Sequence, residues 1–582
     1  MSTVASQPAT DRKLLSSLWQ GLVVLVLLLA TIVINWKMIR DGLNGMADLR
    51  WHIIWLQHFS KQLSEGIWYP RWLAGTNYGY GSPTFVFYAP FVYYVGSAIK
   101  FAGFTAEQTI IALFSIALFG SGFFFYLYGR DRWGTVAALI GALIYMTSPY
   151  LARDIYFRGG LASMWAQAWL PLILWLTERA VSQPKARPML AFGFAVLALI
   201  HTPSLLLFAI AWGVYVFCLL LNSSWKAVVT TVGYALVGFG IASLYLLPAI
   251  VEKSWVNIET MKGVYGGFEA NLFGTPWVLK PHIQKVLFEI QGIFIQEAIG
   301  AILLFLVVLF PPFRAGIKQA MTLLLFLLLL AFLMHYSSVF IWRSSGTLQM
   351  IQFPWRFLGL FSFIVAAVGG LAVSNTVRRR WHFKTVSGLI IVGILIWNFH
   401  YSYDLSRSLP TLHNPGRGEV AHEQTIKIAL DQPDSGKLID VPEYRPLLKD
   451  GTAAPPPLPE QPLVRVIKGI ASVKVNDWHS YSRELRVVVD QPATINLRTY
   501  FYPAWSLNVD GNSHPINISK DGWIEFTLNS GSHLIQLNYR WTIAFTLGVM
   551  ISALSLLFAI ISYYSIQHSS PKINSNHSTF HL

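Results

Sequence analysis

Cysteine is almost missing from this chain. Cys218 is the single one, and it lies inside an apolar run. No intrachain disulfide can form, which excludes a small disulfide-stapled fold. Charge is scarce too, at 12% of 582 residues. A water-soluble chain carries about a quarter charged residues, so this composition excludes an ordinary soluble enzyme. Metal and nucleotide fingerprints are also lacking. There is no HExxH, no paired Cys/His spacing, no DxD in the first polar loop, no P-loop, no dinucleotide glycine motif and no GxSxG elbow. No cofactor is expected, and a divalent metal has no ligand set to support it. No Lys/Arg-rich arm is present, so nucleic acid is not an expected partner.

What the chain has is length in apolar runs. Hydrophobic residues make up 54% of it. Runs near 20 residues recur, each enough to cross a bilayer core as a helix. Continuous runs exclude a β-barrel, whose strands alternate. Candidate spans are 14–36, 84–103, 107–128, 134–149, 161–178, 189–203, 204–222, 226–250, 291–310, 319–340, 356–374, 385–400 and 541–564. The first is too long for a signal peptide and is read as an uncleaved span.

The net charge of +15 follows from basic connectors. Arg179, Lys185 and Arg187 form one cluster, Arg314 and Lys318 a second, and Arg378, Arg379, Arg380 and Lys384 the third. Lys and Arg accumulate on the cytoplasmic side, so these clusters and both termini are expected there. Residues 37–83, 251–290, 341–355 and 401–540 then lie outside. One conflict follows. Between 83 and 179 an odd number of crossings is needed, yet there are four apolar segments. One of them is short, re-entrant or interfacial, and the expected total is about 12 or 13 membrane helices.

Composition changes near residue 401. Residues 401–462 are rich in proline and charge and read as a linker or approach segment. From 463 to 540 the pattern has period two, with Leu485, Val487 and Val489 on one face. Asp510-Gly511, Asp521-Gly522 and Ser530-Gly531 supply turns. This predicts a small antiparallel β-sandwich outside the membrane. A last span, 541–564, and a cytoplasmic tail, 565–582, complete the chain.

The residues with chemical potential cluster in the first outside loop, 37–83. Asp48 and His52 are four apart, which puts them on one face of a helix. Asp48 can act as a general base with His52 beside it. The plainer alternative is a helix N-cap and a solvated histidine. Next come Gly66-Ile67-Trp68-Tyr69-Pro70-Arg71-Trp72 and Asn77-Tyr78-Gly79-Tyr80-Gly81-Ser82-Pro83. Arg71 offers a fork for phosphate, and Tyr78 and Tyr80 offer faces for sugar rings. The alternative is an interfacial aromatic belt with a snorkelling arginine. Further candidates for substrate or lipid phosphate are Arg158 in RDIYFRGG, Glu252 after LLPAIV, and Arg356 in QFPWR. Arg356 has the same snorkelling alternative.

Asp48, His52, YPRW, GYGSP and FYAPFVYY, followed by LYLLPAIVEKSWV, IQFPWRFL and FYPAWSLNVDG, resemble a known group. It is the bacterial membrane proteins labelled "6-pyruvoyl-tetrahydropterin synthase-related". That group resembles the GT-C glycosyltransferases, whose first outside loop carries an acidic residue on a juxtamembrane helix. The resemblance implies an α-helical polytopic GT-C-like domain over 1–400, a bacterial inner-membrane location, and sugar transfer from a polyprenyl-phosphate or diphosphate donor. The acceptor would be a cell-envelope glycan, lipid or protein. Ser163 stands where many relatives have glutamate, and the loop lacks a second neighbouring acid. A transporter, flippase or assembly scaffold for lipid-linked polymers is the alternative.

Overall fold

The computed structural model describes residues 9–43, 47–276, 279–309, 316–377, 381–408, 426–430 and 439–569. The strongest basic connector, at 378–380, and Arg314 lie outside the described residues, as does most of 409–438.

The chain first runs through α1 (Ala9–Ile34), the short α2 (Trp36–Asp41) and α3 (Leu49–Ser64). The expected span 84–103 is instead two pieces, α4 (Thr84–Phe87) and α5 (Phe91–Phe101). Pro90 breaks it. Proline removes an N–H and pushes the preceding residue out of the helical region, and Tyr88 is already extended at ψ 134°. The 11 residues of α5 rise about 16 Å, far short of a bilayer core.

Three helical stretches follow: α6 (Ala106–Trp133), α7 (Thr135–Met146) continued by α8 (Pro149–Arg153), and α9 (Leu161–Ser182). Two contacts fix their directions. The Asp48 N–H donates to the Arg158 carbonyl at 2.9 Å, which puts 48 and 158 at one end. Arg179 pairs with Asp131 at 2.8 Å, which puts 131 and 179 at the other. Three crossings therefore separate residue 105 from 183, and the odd number required by the basic clusters is met.

The bundle continues with α10 (Arg187–Ile200), α11 (Thr202–Asn222), α12 (Trp225–Ile241), α13 (Ser243–Val251), α14 (Pro281–Leu309) and α15 (Ile317–Met334). Two short pieces, α16 (Val339–Arg343) and α17 (Gly346–Gln349), precede α18 (Leu358–Val377) and α19 (Trp381–Ser408). After the sheet domain comes α20 (Ile543–Ser569). Among the described residues nine helices are long and apolar enough to cross a membrane, or ten if the pair α12 and α13, bent by 72°, is one span. Helices α9 and α10 are less apolar or shorter, yet they join the same two ends. Arg187 bonds the Ala180 carbonyl at one end of α10, and His201 faces Arg356 and Arg158 at the other.

The C-terminal sheet domain has seven antiparallel strands: β1 (Val464–Trp478), β2 (Ser482–Tyr500), β3 (Trp505–Val509), β4 (Asn512–His514), β5 (Asn517–Ile518), β6 (Trp523–Leu528) and β7 (Gly531–Tyr539). Their hydrogen bonds link all seven into one continuous network. Strand β2 explains this. Its first half pairs with β7 and its second half with β6, and β1 follows both halves. The change of neighbour occurs around Pro492, which has no N–H to give a ladder. The predicted alternation holds: Leu485, Val487, Val489, Ile495 and Leu497 are buried, and Arg486 and Val488 are exposed.

The first loop is the seat of this domain. Tyr500 N–H bonds the Tyr80 carbonyl at 2.8 Å, and the Tyr481 hydroxyl accepts from Trp72 N–H at 3.0 Å. The fully buried Trp72 ring meets Trp505 at 5.6 Å. Gly81 lies under it with φ +81°, and a Cβ there would come within 2.5 Å of the indole. Gly81→Ala is therefore expected to cost at least about 2 kcal/mol, combining backbone strain with overpacking. Gly511 has the same φ but open space around it. Gly511→Ala should cost only about 1 kcal/mol. Thermal unfolding of both variants in detergent checks the ordering.

Candidate functional site

The site grows from the start of α3. Asp48 stands at the N-cap position, but its side chain makes no capping hydrogen bond. Its Oδ2 lies 3.3 Å from Arg158 Nε instead. Arg158 also bonds Asp154 Oδ1 through Nη1 at 2.9 Å. Exposure separates the two carboxylates: the Asp48 side chain is 42% exposed, Arg158 13% and Asp154 1%. One arginine thus joins a buried acid to an open one. The turn that presents it depends on Gly159, at φ +68°, and on Gly160, where a Cβ would lie 2.7 Å from Asp154 Oδ1.

Arg356 belongs to the same group. It is buried, its guanidinium lies 5.0 Å over Phe353, and its electrostatic neighbours are Arg158, Tyr150, Asp48 and Asp154. Arg356 Nε, the Tyr150 hydroxyl and Asp154 Oδ2 are buried without a hydrogen-bond partner among the described residues. Such groups cost about 1–3 kcal/mol each when left unmade, so their gathering marks a place built to meet polar atoms. Ser163 Oγ is buried and without a hydrogen-bond partner among the described residues as well.

His52 takes a different part from the one expected. It is buried among Trp55, Tyr88 and Tyr93, with Nδ1 2.7 Å from the Tyr93 hydroxyl. Burial, with the Arg158 charge nearby, pushes its pKa down to about 3. The ring is therefore neutral at physiological pH, and it supplies no cation for phosphate. Among the described residues no hydrogen bond joins it to the Asp48 carboxylate.

Four other expected residues have their partners elsewhere. Arg71 is buried with its guanidinium 3.7 Å over Phe545, and it donates to the Arg540 carbonyl at 3.3 Å. Tyr80 packs on Tyr500 at 5.2 Å and Trp523 at 4.8 Å. Tyr78, beside it, is half-buried at φ 56°. Glu252 accepts from the Tyr502 hydroxyl and from Thr542 Oγ1. Arg71, Tyr80 and Glu252 hold the sheet domain and α20 to the helical body. Asp48, Arg158 and Arg356 are brought together.

Sequence reasoning missed two carboxyl groups in the proline-rich segment. Asp440 is buried in the first loop. It accepts from Trp55 Nε1 at 2.9 Å and Thr84 Oγ1 at 2.5 Å, and its own N–H bonds Asn77 Oδ1 at 2.8 Å. Residues 439–446 are thus fixed against the body rather than free as a linker. The short turn 442–444 then places Glu443 in the electrostatic range of Asp48 and Asp440. Burial pushes the Glu443 pKa up to about 7. The folded protein therefore holds this proton above the ordinary value of 4.5, where the unfolded chain has released it. Stability is expected to fall as pH rises from 4.5 to 7, and to fall less in Glu443→Gln. Melting temperature against pH for both proteins checks this.

Among the described residues no group of three or more His, Cys, Asp or Glu side chains could hold a metal ion. No curated protein matches the chain. The fold is distantly similar to two solved structures. One is ArnT from Cupriavidus metallidurans bound to undecaprenyl phosphate, at 12% identity and TM-score 0.36, covering 74% of this chain and 77% of that one. The other is the Archaeoglobus fulgidus oligosaccharyltransferase in complex with zinc and sulfate, at 16% identity and TM-score 0.34, covering 68% of this chain and 54% of that one. The model of the 6-pyruvoyl-tetrahydropterin synthase related membrane-protein domain matches residues 85–406, more than half of the sequence, and the chain belongs to that family.

Proposed function

We propose that this protein is a membrane glycosyltransferase of GT-C architecture. It moves a sugar from a polyprenyl-phosphate or diphosphate donor to a cell-envelope acceptor at the Asp48 end. The observation that carries this reading is one open carboxylate, Asp48, held by an arginine and facing a second, buried arginine with a free Nε.

The chemistry follows from that geometry. Asp48 accepts the proton of the acceptor hydroxyl as its oxygen bonds to the anomeric carbon. The bond from that carbon to the phosphate oxygen breaks, and the phosphate leaves with the electron pair. Arg356 and Arg158 receive its charge through N–H donors. A positioned base of this kind contributes about 10²–10⁴-fold. A carboxylate in the bilayer centre would be costly, and the exposure of Asp48 fits a place at the rim. Arg179 lies at the opposite end, which the positive-inside rule makes cytoplasmic. The Asp48 end is then extracytoplasmic, in a bacterial inner membrane.

A flippase or transporter is the second reading. It draws on Glu297, a buried carboxyl within α14 that accepts from Ser362 Oγ at 2.7 and 2.9 Å. One experiment separates the two. Purified protein is incubated with radiolabelled polyprenyl-phosphate sugars and membrane lipid extract. Consumption of the lipid-linked sugar supports transfer. Binding without consumption, with movement of the lipid across vesicles, supports transport.

A further inference from the structure

A cavity of about 450 Å³ opens at the end of the bundle opposite Asp48. That size lies within the range of small-molecule sites, about 300–1,000 Å³. One wall is a single face of α11: Phe208, Ala211, Tyr215, Cys218 and Asn222 recur at helical spacing. The facing wall is α15, from Lys318 to Leu330, a depth of about 18 Å along the helix. Leu360 and Phe363 of α18 line it between these two walls.

The polar residues are gathered at the mouth. Arg132 lies there, but its charge is met by Glu178, and it also donates to the Tyr215 hydroxyl at 2.9 Å. Lys318 is exposed and has no ion pair among the described residues. It sits in the first turn of the 18-residue α15, whose N-cap is Gly316 and has no side-chain cap. First-turn N–H groups and a lysine beside a deep apolar slot match an anionic headgroup with a hydrocarbon chain.

We propose that this cavity binds an acyl chain of an anionic phospholipid from the leaflet at that end, with the phosphate on Lys318 and the start of α15. The site stands apart from Asp48. On the proposed function a polyprenyl donor has its phosphate at the other end of the bundle, and none of Asp48, Arg158 and Arg356 lines the slot. Basic pockets between helices on the cytoplasmic side are a recurrent place for acidic lipids.

The test uses full-length protein in detergent and phosphatidylglycerol with a diazirine in its chain. After irradiation, adducts are mapped by mass spectrometry. Labelling is expected on Ala211 and Phe326, which line the slot, and is expected to disappear in Ala211→Trp, which fills it. Lys318→Ala, on the exposed surface, should weaken labelling about fivefold, the worth of one lysine near an acidic lipid surface. Phosphatidylcholine should label more weakly. Adducts confined to the outward-facing Phe217, Leu221, Leu325 and Leu328, equal for both lipids, would mean ordinary annular lipid and would overturn the proposal. Displacement of the slot adducts by polyprenyl phosphate but not by unlabelled phosphatidylglycerol would overturn it too, in favour of a donor tail.

Discussion

Asp48→Asn is expected to lower the rate of sugar transfer by about 10²–10⁴-fold and to leave the fold intact. The amide keeps the shape of the side chain, and the backbone bond from residue 48 to the Arg158 carbonyl does not involve it. The capacity to take a proton is lost, together with the charge that pairs with Arg158. The side chain is 42% exposed and its ion pair with Arg158 spans 3.3 Å, so the melting temperature should hardly move. With one partner open to water the pair contributes about 0–1 kcal/mol, and Arg158 keeps its bond to Asp154. Initial rates with a lipid-linked donor, measured beside thermal unfolding, separate the two effects. An unchanged rate would remove Asp48 from the chemistry, and a scaffold would tolerate the change.

Arg158→Leu should act in the opposite way, on stability first. Asp154 is 1% exposed, and Arg158 is its charged partner at 2.9 Å. Removing one partner of a buried pair leaves the other uncompensated, at about 3–5 kcal/mol. Adding Asp154→Asn should return part of that loss, because the stranded charge is then gone. A double-mutant cycle read by thermal unfolding gives the coupling directly. If the cost of the double variant equals the sum of the two single costs, the pair is not coupled and the buried ion pair does not hold this end together. Transfer should fall in Arg158→Leu as well, since Asp48 loses the group that holds it.

The parts of this molecule that could be read from sequence are those with a local signature. Strand β2 alternates at period two and is buried at period two. Asp48 and Arg179 each lie in composition unlike their surroundings. Pro90 had already marked the break in 84–103, but hydropathy sums an apolar run and does not register a missing N–H. Arg71 and Tyr80 looked like ligand binders because arginine and tyrosine serve a ligand and a docked domain by the same contacts. Asp440 and Glu443 were illegible for a different reason. Asp440 meets Trp55 across 385 residues, and no periodicity records such a pairing.

By itself, then, the sequence determined the apolar helical bundle and the C-terminal antiparallel sheet domain. Each rests on hydrophobic pattern, turn chemistry or charge placement within a few turns of chain. The tertiary structure alone decided which arginines stand with Asp48, that His52 is neutral, and that a distant segment brings Glu443 to the site. Burial and electrostatic environment set these properties, and both belong to the packed molecule rather than to any stretch of it.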